Sequence, residues 1–415
     1  MVMRGTMIGK QKNTFPIPSV VITQSSPPTH LPNNQHPQRT ALRGISRRGA
    51  SHTMTNILLL EPYNTGSHAA WLRDLQHFST HTLAALTLHG NFWQWRMQGG
   101  AVTLARHFNQ SDYTPDLILA SDMLDLTTFL ALTRRRTAAI PSAVYFHENQ
   151  LTYPAGKRIK RDLKFGFINY ASALAADAVF FNSAFHKRDF LAALPNLLKH
   201  YPDHNELETV DQLAAKAHVL PIGIDLAAYD AFAAEKDRSV PILLWNHRWE
   251  YDKQPDVFAR ALEKLIALGV DFRVILAGEP IGFTESAFAP LREKLGARLL
   301  HYGYAAQFAD YARLLWQATH VISCANQDFF GVSMAEAIYC GALPIMPRRL
   351  NYPALIPSTY HDLCLYNEGE LVAALLRTLH TPVPSALRAY ITQFDWRNVI
   401  TAYDAAFSAL AAQQP

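Results

Sequence analysis

The chain has 415 residues, of which 49% are hydrophobic and 17% are charged, so it is long enough for two or three domains with large apolar cores. No apolar run reaches the roughly 18 residues that a membrane-spanning helix needs. Three cysteines, Cys324, Cys340 and Cys364, have no spacing typical of a metal site or a disulfide framework. Sparse cysteines favour a reducing compartment, and we therefore expect a cytoplasmic protein that has no membrane span and no structural metal.

The positive charge is concentrated in residues 1–53, which contain seven Lys and Arg residues, six prolines and no acidic residue. Subtracting those seven charges from the net charge of +4 leaves about −3 for residues 54–415, so nucleic-acid binding there would depend on local patches. We expect residues 1–53 to be a disordered extension, because such a composition cannot bury a core. An upstream-extended start, with Met54 as the working initiator, accounts for this segment better than a transit peptide does.

From residue 54 onward, short apolar strands alternate with helical stretches, which predicts parallel sheets with helices on both faces. In the first half, strands are predicted at residues 56–60, 83–88, 117–120, 143–146 and 178–181. The loop after the first strand contains Gly66 and Ser67. A single glycine is a weak phosphate-binding signal, and Ser67 is a good N-cap for the helix that follows.

A dense polar run, His147, Glu148 and Asn149, directly follows the strand at 143–146. Ligands of parallel sheets bind outside the carboxyl ends of the strands, which is where these three side chains are expected. A single histidine is more often a buried structural residue, but a run of three polar residues at a strand end favours a functional site. Asn182 and Ser183 repeat the pattern after the strand at 178–181.

The second half begins with a strand at 242–245, followed by a loop that contains Arg248 and Lys253 and by Pro255 at a helix start. Two cations between a strand and a helix can hold a diphosphate, the arginine by two parallel hydrogen bonds and the lysine as a point charge. The alternative is a surface ion pair with Glu250 or Asp252. Further strands are predicted at 272–278 and 299–304.

Residues 323–347 form the most informative stretch. A strand at 319–324 leads through a polar loop to a helix at 332–339, which ends at Gly341, and a strand at 343–346 follows. Asp328 in the loop and Glu336 on the helix can line one wall of a pocket. Free backbone amides between them, at the helix start, suit a phosphate or sugar oxygen. The alternative is an ordinary strand–loop–helix unit with surface acids.

The last segment predicts an amphipathic helix, because apolar residues recur mostly every three or four positions. They are Phe394, Trp396, Ile400, Tyr403, Phe407 and Leu410. A long apolar stripe at a terminus indicates a helix laid across an interface, back onto the first domain. The sequence thus predicts a first Rossmann-like domain at 54–235, a second one at 236–393 and a crossing helix at 394–415.

Four segments together carry a family resemblance: ILLLEPYNTGSHAAW, YFHENQLTYP, HRWEYDKQP and QDFFGVSMAEAIYCGALPIMPRRLNYPALIP. In this order they resemble the tRNA-queuosine α-mannosyltransferase group of the GT-B retaining glycosyltransferases, over about residues 56–403. The resemblance implies an α/β fold of GT-B type, in which two Rossmann-like domains face each other across a cleft and a C-terminal helix crosses back. It also implies metal-independent transfer of mannose from GDP-mannose to queuosine in tRNA, with tRNA-Asp as the expected acceptor and no cofactor.

The resemblance also implies roles for residues of the second domain. Glu336 would hold the ribose hydroxyls of the donor nucleotide, and Arg248 and Lys253 would hold its diphosphate. Asp328 and neighbouring backbone amides would contact the transferred sugar. These amides belong to Phe330, Gly331 and Val332. The first acid of the pair is Asp328 where such enzymes usually have Glu, so its side chain is one methylene shorter and its reach to the sugar is reduced.

In the first domain, the resemblance places Gly66 and Ser67 at the donor phosphates and His147 beside the anomeric carbon. The acceptor is predicted from basic clusters in this domain, interleaved with the aromatic residues Tyr153, Phe165 and Phe167, which could follow an RNA backbone and stack bases. The clusters consist of Arg134, Arg135 and Arg136, and of Lys157, Arg158, Lys160, Arg161 and Lys164. Two alternatives stay open: a lipid or polysaccharide acceptor, and a nucleotide-sugar-binding protein without turnover.

Overall fold

A computed structural model describes residues 54–154, 162–278 and 285–413. The predicted disordered extension, residues 1–53, lies outside the described residues. Within the described ranges, the chain forms two parallel six-stranded sheets, each with helices packed on its faces. No helix in these ranges is long and apolar enough to cross a membrane.

The first sheet has the strand order β2-β1-β3-β4-β5-β6. Its strands are β1 (Asn56–Asn64), β2 (Thr82–His89), β3 (Leu117–Ser121), β4 (Ser142–Phe146), β5 (Ala178–Phe181) and β6 (Ala217–Val219). The helices of this half are α1 (Gly66–Phe78), α2 (Trp93–Gln110), α3 (Leu126–Thr137), α4 (Leu163–Ala175), α5 (Ala184–Leu198) and α6 (Thr209–Lys216). The five strands predicted in this half are all present.

The second sheet has the order β12-β11-β10-β7-β8-β9. Its strands are β7 (Ile242–Trp245), β8 (Arg273–Ala277), β9 (Leu299–Gly303), β10 (His320–Ile322), β11 (Leu343–Pro347) and β12 (Leu365–Tyr366). The helices are α7 (Pro255–Ala267), α8 (Glu285–Leu295), α9 (Phe308–Gln317), α10 (Val332–Tyr339), α11 (His361–Cys364), α12 (Leu371–Thr378), α13 (Ser385–Ile391) and α14 (Trp396–Ala411).

Strand β1 shows why the apolar runs are continuous rather than alternating. Ile57 and Leu59 face one apolar core, whereas Leu58 and Leu60 face another on the opposite side of the sheet. Because helices cover both faces of a parallel sheet, the four consecutive residues at 57–60 are all buried and apolar. The core on the Ile57 side continues into the second domain and α14.

Helix α14 packs on the first domain, as the apolar stripe predicts. The Tyr403 hydroxyl donates a hydrogen bond to the Tyr145 hydroxyl over 2.8 Å. The buried carboxylate of Asp404 accepts bonds from the Ser79 hydroxyl at 2.6 Å and the Thr80 amide at 2.9 Å, both at the end of α1. The predicted fold class, including the crossing helix, is confirmed; the predicted domain boundaries stay predictions.

Two of the three predicted helix ends agree with the structure, and one does not. Helix α10 spans the predicted residues, and Gly341 takes the left-handed conformation just beyond it, with φ of +82°. Pro255 begins α7 as predicted. The prediction that Ser67 caps α1 is wrong, because the helix already begins at Gly66 and the extended residue before it is Thr65. Ser67 is instead an exposed residue of the first turn.

Candidate functional site

The first half of the site lies where the strand order of the first sheet reverses. Strand β2 pairs with one side of β1 and β3 with the other, so a crevice opens above the carboxyl ends of β1 and β3. Glu61 lies near the end of β1, Asp122 directly follows β3, and His147 directly follows β4. All three are buried. Topology thus brings three distant polar side chains to one edge.

Glu61 and His68 form a buried ion pair at this edge. His68 Nδ1 lies 2.9 Å from Glu61 Oε2, and the Tyr63 amide donates to Glu61 Oε1 over 2.7 Å. Burial alone would lower the pKa of His68, but the Glu61 carboxylate more than offsets this and raises it to about 9. His68 is therefore a fixed cation at neutral pH, in the first turns of α1.

His147 lies against this pair and remains neutral. Its ring centroid is 4.3 Å from that of His68, and its backbone amide donates to Asp122 Oδ1 over 2.8 Å. Burial, reinforced by the charge of His68, lowers the pKa of His147 well below its usual value. Neither ring nitrogen of His147 has a hydrogen-bond partner among the described residues, nor does Asp122 Oδ2. Buried polar atoms without partners are rare, so these atoms indicate a ligand position.

The same residues include a possible metal-binding set. Ligand atoms of Glu61, His68 and His147 lie within 4.8 Å of one another. Two imidazoles and a carboxylate are ligands that zinc and other divalent transition metals accept. The prediction of a metal-free site therefore stays a prediction, which removal of metal can test.

The second sheet has its own reversal between β7 and β10, and the predicted cations follow β7. The Arg248 guanidinium lies 3.4 Å from Glu250, with about half of the arginine side chain exposed. Lys253 Nζ lies 3.2 Å from Asp252 and donates to the carbonyl oxygen of Gln327 over 2.6 Å. Both ion pairs foreseen as the alternative are thus present, and in this structure the two cations are held by neighbouring acids.

The two acids of the loop and helix have different partners. Asp328 Oδ2 accepts a bond from the Tyr352 hydroxyl at 3.1 Å, and Oδ1 accepts from the Phe330 amide at 3.4 Å. Glu336 Oε2 accepts a bond from the Tyr311 hydroxyl at 2.7 Å. Burial raises the pKa of Glu336, and hydrogen bonds from tyrosine hydroxyls partly offset this. Each carboxylate is thereby fixed by a tyrosine hydroxyl.

Gly331 allows the turn into α10. Its φ is +101°, and a Cβ atom added there would lie 2.8 Å from Leu355 Cδ1. Only glycine meets both conditions without strain. The turn leaves the first amides of α10, from Val332 on, without partners inside the helix, since the Gly331 position has no side-chain cap. Gly66 plays a similar part at α1, with φ of +51° and open space around it.

Phe329 joins the two halves of the site. Its ring stacks on the His186 ring of α5 at 3.9 Å, and its carbonyl oxygen accepts a 2.5 Å bond from the Ser183 hydroxyl. Ser183 also caps α5, as its position after a strand predicts. The Tyr153 hydroxyl, from the first domain, donates to Asp252 over 3.4 Å. The loop after β10 is therefore docked on the first domain.

The structure distributes the predicted site residues over two facing edges. The first domain contributes Gly66, Ser67 and His147, and the second contributes Arg248, Lys253, Asp328, Phe330, Gly331, Val332 and Glu336. Sequence reasoning missed Glu61, His68, Asp122, Tyr311 and Tyr352. The available signal for Glu61 and Asp122 was their place at the carboxyl ends of apolar strand runs, and His68 had no such signal.

The arginine cluster of α3 fits an acceptor role poorly. The Arg136 guanidinium binds the carbonyl oxygens of Phe108, Ser111 and Tyr113, so it has a structural role at the end of α2. Helix α3 runs antiparallel to the strands, which places its arginines at the amino edge of the sheet, away from the site. The cluster members Lys157, Arg158, Lys160 and Arg161 lie outside the described residues.

Two of the three interleaved aromatic residues are also unsuited to stacking. Phe165 is only 3% exposed and belongs to a small core with Met97 and Met123. Tyr153 is engaged at the domain contact. The expectation that these rings stack bases is wrong for Phe165, because the start of α4 turns it inward. Phe167, by contrast, is exposed.

Solved structures share the fold at low sequence identity. Sucrose-phosphate synthase from Thermosynechococcus elongatus matches with a TM-score of 0.64 at 14% identity, covering 86% of this chain and 99% of that one. A UDP-forming trehalose-phosphate synthase from Burkholderia xenovorans matches with a TM-score of 0.60, also at 14% identity, covering 87% and 99%. Both are GT-B glycosyltransferases, and the likeness establishes the fold.

Sequence comparison is more specific. A family profile described as the tRNA-queuosine alpha-mannosyltransferase N-terminal region matches residues 56–224. A tRNA-queuosine alpha-mannosyltransferase of Drosophila melanogaster is 35% identical over 356 residues, which cover 82% of this chain and 90% of the relative. A GDP-mannose-dependent phosphatidylinositol dimannoside mannosyltransferase of Mycobacterium tuberculosis is 24% identical over 64% of this chain and 65% of its own length. The chain is therefore a GT-B glycosyltransferase that belongs to the tRNA-queuosine alpha-mannosyltransferase family.

Proposed function

We propose that the protein transfers mannose from GDP-mannose to queuosine in tRNA, with tRNA-Asp as the acceptor and with retention of the anomeric configuration. The observation that carries the proposal is the crevice edge of the first domain, where buried polar atoms of His147 and Asp122 lack partners among the described residues. A ligand of matching polarity would satisfy them. The named activity of the Drosophila relative supports mannose and queuosine as the two substrates.

The donor binds chiefly to the second domain in this proposal. Glu336, oriented by Tyr311, accepts hydrogen bonds from the ribose hydroxyls. Arg248 and Lys253 bind the diphosphate, and the exposed part of Arg248 can rotate from Glu250 to a phosphate because a surface ion pair contributes at most about 1 kcal/mol. The first amides of α10 and of α1, next to Gly331 and Gly66, add partial positive charge.

The transferred sugar lies between Asp328 and His147. Asp328 is held by Tyr352, so its carboxylate is directed before the donor arrives. His147 is neutral, and it can therefore donate one hydrogen bond to a sugar hydroxyl and accept another without adding charge. This neutral ring beside an oxocarbenium-like centre avoids the repulsion that an imidazolium would cause.

The reaction breaks the bond between the anomeric carbon and the leaving phosphate oxygen, which keeps the electron pair. The acceptor hydroxyl attacks on the same face, and its proton passes to the departing phosphate. Arg248, Lys253 and the helix N-termini stabilise the charge that develops on that phosphate, so the step requires no metal ion. The reaction is assigned to the cytoplasm, where nucleotide sugars and tRNA meet.

The decisive experiment incubates purified protein with GDP-mannose and with tRNA that contains queuosine, followed by nucleoside digestion and mass spectrometry. We expect queuosine to become heavier by one hexose, and no product with queuosine-free tRNA. The Asp328→Glu variant tests whether the shorter side chain of Asp328 limits the reaction. Higher activity of this variant would show that Asp328 limits turnover, and equal activity would show that the shorter side chain suffices. Binding of GDP-mannose without any transfer would refute queuosine as the acceptor.

A further inference from the structure

A group of aromatic side chains is exposed at the start of α2. Phe92 is 79% exposed, Trp93 37% and Trp95 62%. They stand at the start of α2, directly after β2 reaches the carboxyl edge of the sheet. Large aromatic side chains are normally buried, so three exposed rings within four residues indicate a contact surface. We call residues 92–95 the aromatic platform.

The backbone holds these rings outward. Phe92 adopts a left-handed conformation, with φ of +51°, which is uncommon for a bulky residue. Its carbonyl oxygen accepts the amides of Trp95 and Arg96, so it still starts the helix. Trp95 lies flat over Gly99, where an added Cβ atom would come within 2.8 Å of the indole. The left-handed backbone of Phe92 is energetically unfavourable, and such conformations cluster at functional sites.

The platform is continuous with the candidate site. The Trp93 ring lies 4.9 Å from the Phe165 ring, and Phe165 shares a small core with Met97 and Met123. Met123 directly follows Asp122, and Tyr63 packs on the same core. A large ligand with one group bound in the crevice would therefore also contact the platform through the part of the ligand next to that group.

The charge around the platform favours an anionic partner. No Asp or Glu occurs between Asp74 and Asp112, whereas Arg96 directly follows the platform. Lys164 reaches over the Phe165 ring at 4.8 Å, although it also pairs with Asp162. Single-stranded nucleic acid is bound by such combinations of exposed rings and cations, since bases stack on the rings and phosphates meet the cations.

A membrane surface is the competing partner for exposed tryptophans. The exposed amide of Gln94 lies within the platform, and that of Gln98 lies next to it on α2. Amides suit the hydrogen-bonding edges of unpaired bases, whereas their burial in lipid without partners is costly. The platform therefore fits an RNA loop better than a bilayer.

We propose that the aromatic platform stacks the unpaired bases next to the modified nucleoside of the acceptor tRNA, and so presents that nucleoside to the crevice. The inference rests on the proposed function for the identity of the acceptor. It assigns acceptor binding to the start of α2 rather than to the arginine cluster of α3. Loss of one stacking ring is expected to weaken RNA binding by on the order of tenfold.

The test uses the full chain with the variants Phe92→Ser and Trp95→Ala and with Leu376→Ser as a control, since Leu376 is an exposed residue on α12. Fluorescence anisotropy measures binding of labelled queuosine tRNA without donor. Steady-state kinetics compares kcat/KM for this tRNA with kcat/KM for the free queuosine nucleoside. We expect each platform variant to raise the tRNA Kd and to lower the ratio of the two kcat/KM values about tenfold, and the control to match wild type.

Equal tRNA binding by wild type and both platform variants would overturn the inference. So would platform-dependent binding to phosphatidylglycerol vesicles with unchanged tRNA affinity, which would identify a membrane partner. The proposed function fails in a different way: wild type would bind tRNA through the platform but add no hexose. The binding assay therefore separates the two failures, since it requires no turnover.

Discussion

Phe329, in the loop after β10, stacks on His186 of α5 with ring centroids 3.9 Å apart and planes inclined by 22°. The contact joins the loop that contains Asp328 to the first domain. Burial lowers the pKa of His186 well below its usual value, so the ring is neutral and packs as an aromatic group. The position of Asp328 therefore depends on a residue more than one hundred positions earlier in the chain.

Substitution Phe329→Ala should lower activity more than stability. It removes a stacked pair worth about 1 kcal/mol beyond the loss of buried area, so that the loop is held to α5 only by the bond from the Ser183 hydroxyl to the main-chain carbonyl oxygen of residue 329. We expect kcat to fall at least tenfold while each sheet keeps its own core. Transfer kinetics and thermal unfolding measure the two effects. Phe185→Ala is the matched control, because Phe185 is half-buried and lies farther from Phe329, at 6.5 Å.

Alanine substitutions at two glycines with positive φ can distinguish the effect of backbone strain from the effect of disturbing the site. Gly331→Ala and Gly269→Ala both place alanine in a left-handed conformation, which costs about 1–2 kcal/mol. Only at Gly331 would the methyl group also meet Leu355, since nothing lies within 4 Å at Gly269. We expect both variants to lose stability in denaturant titrations, but only Gly331→Ala to lose activity. Equal activity of the two would show that the α10 turn does not position the donor.

The proposed diphosphate clamp predicts a loss in kcat. Arg248→Ala and Lys253→Ala should each lower kcat by about 10²–10³, the usual result of removing one group that stabilises developing charge. Glu250→Gln should instead strengthen GDP-mannose binding, because it releases Arg248 from its ion pair. Arg273→Ala, which removes an ion pair with Asp271 at the opposite edge, is the control. Unchanged kcat in both clamp variants would assign these cations to structure alone.

Much of this molecule could be predicted from sequence because its strands are apolar runs between polar loops, and Gly341 and Pro255 mark helix ends by local chemistry. The Ser67 cap was wrong because Ser and Thr compete for one position, and Thr65 adopts the extended conformation there. Asp122 was not predicted as a site residue because its role depends on a contact in space, the hydrogen bond that its carboxylate accepts from the His147 amide. Nor does sequence decide whether Arg248 binds Glu250 or a phosphate.

Metal removal tests the set formed by Glu61, His68 and His147. We expect dialysis against EDTA to leave transfer activity unchanged, because the Glu61 carboxylate is already neutralised by His68 and the clamp supplies positive charge for the leaving group. Elemental analysis of the purified protein accompanies the assay. Loss of activity with EDTA and its recovery with zinc or manganese would show instead that the set binds a catalytic metal.

The Glu61–His68 pair predicts a pH-dependent stability. The pKa of His68 rises from 6.5 in the unfolded chain to about 9 in the folded protein, so its stabilising contribution is complete below pH 6.5 and is lost as the pH rises through 9. The loss is on the order of 3 kcal/mol. Burial also raises the pKa of Asp122, so the comparison is made in Asp122→Asn protein.

In that background, the free energy of unfolding measured with urea between pH 6.5 and 9 should fall more with rising pH when His68 is present than in His68→Gln. The comparison of the two proteins cancels the opposing contribution of Lys236, whose pKa burial lowers to about 7 in the folded protein. His89→Gln is the control, because His89 is an exposed residue at the end of β2 and should keep the slope. The same slope in the His68→Gln protein would mean that another group titrates in this range. It would also mean that His68 is not the fixed cation beside the crevice.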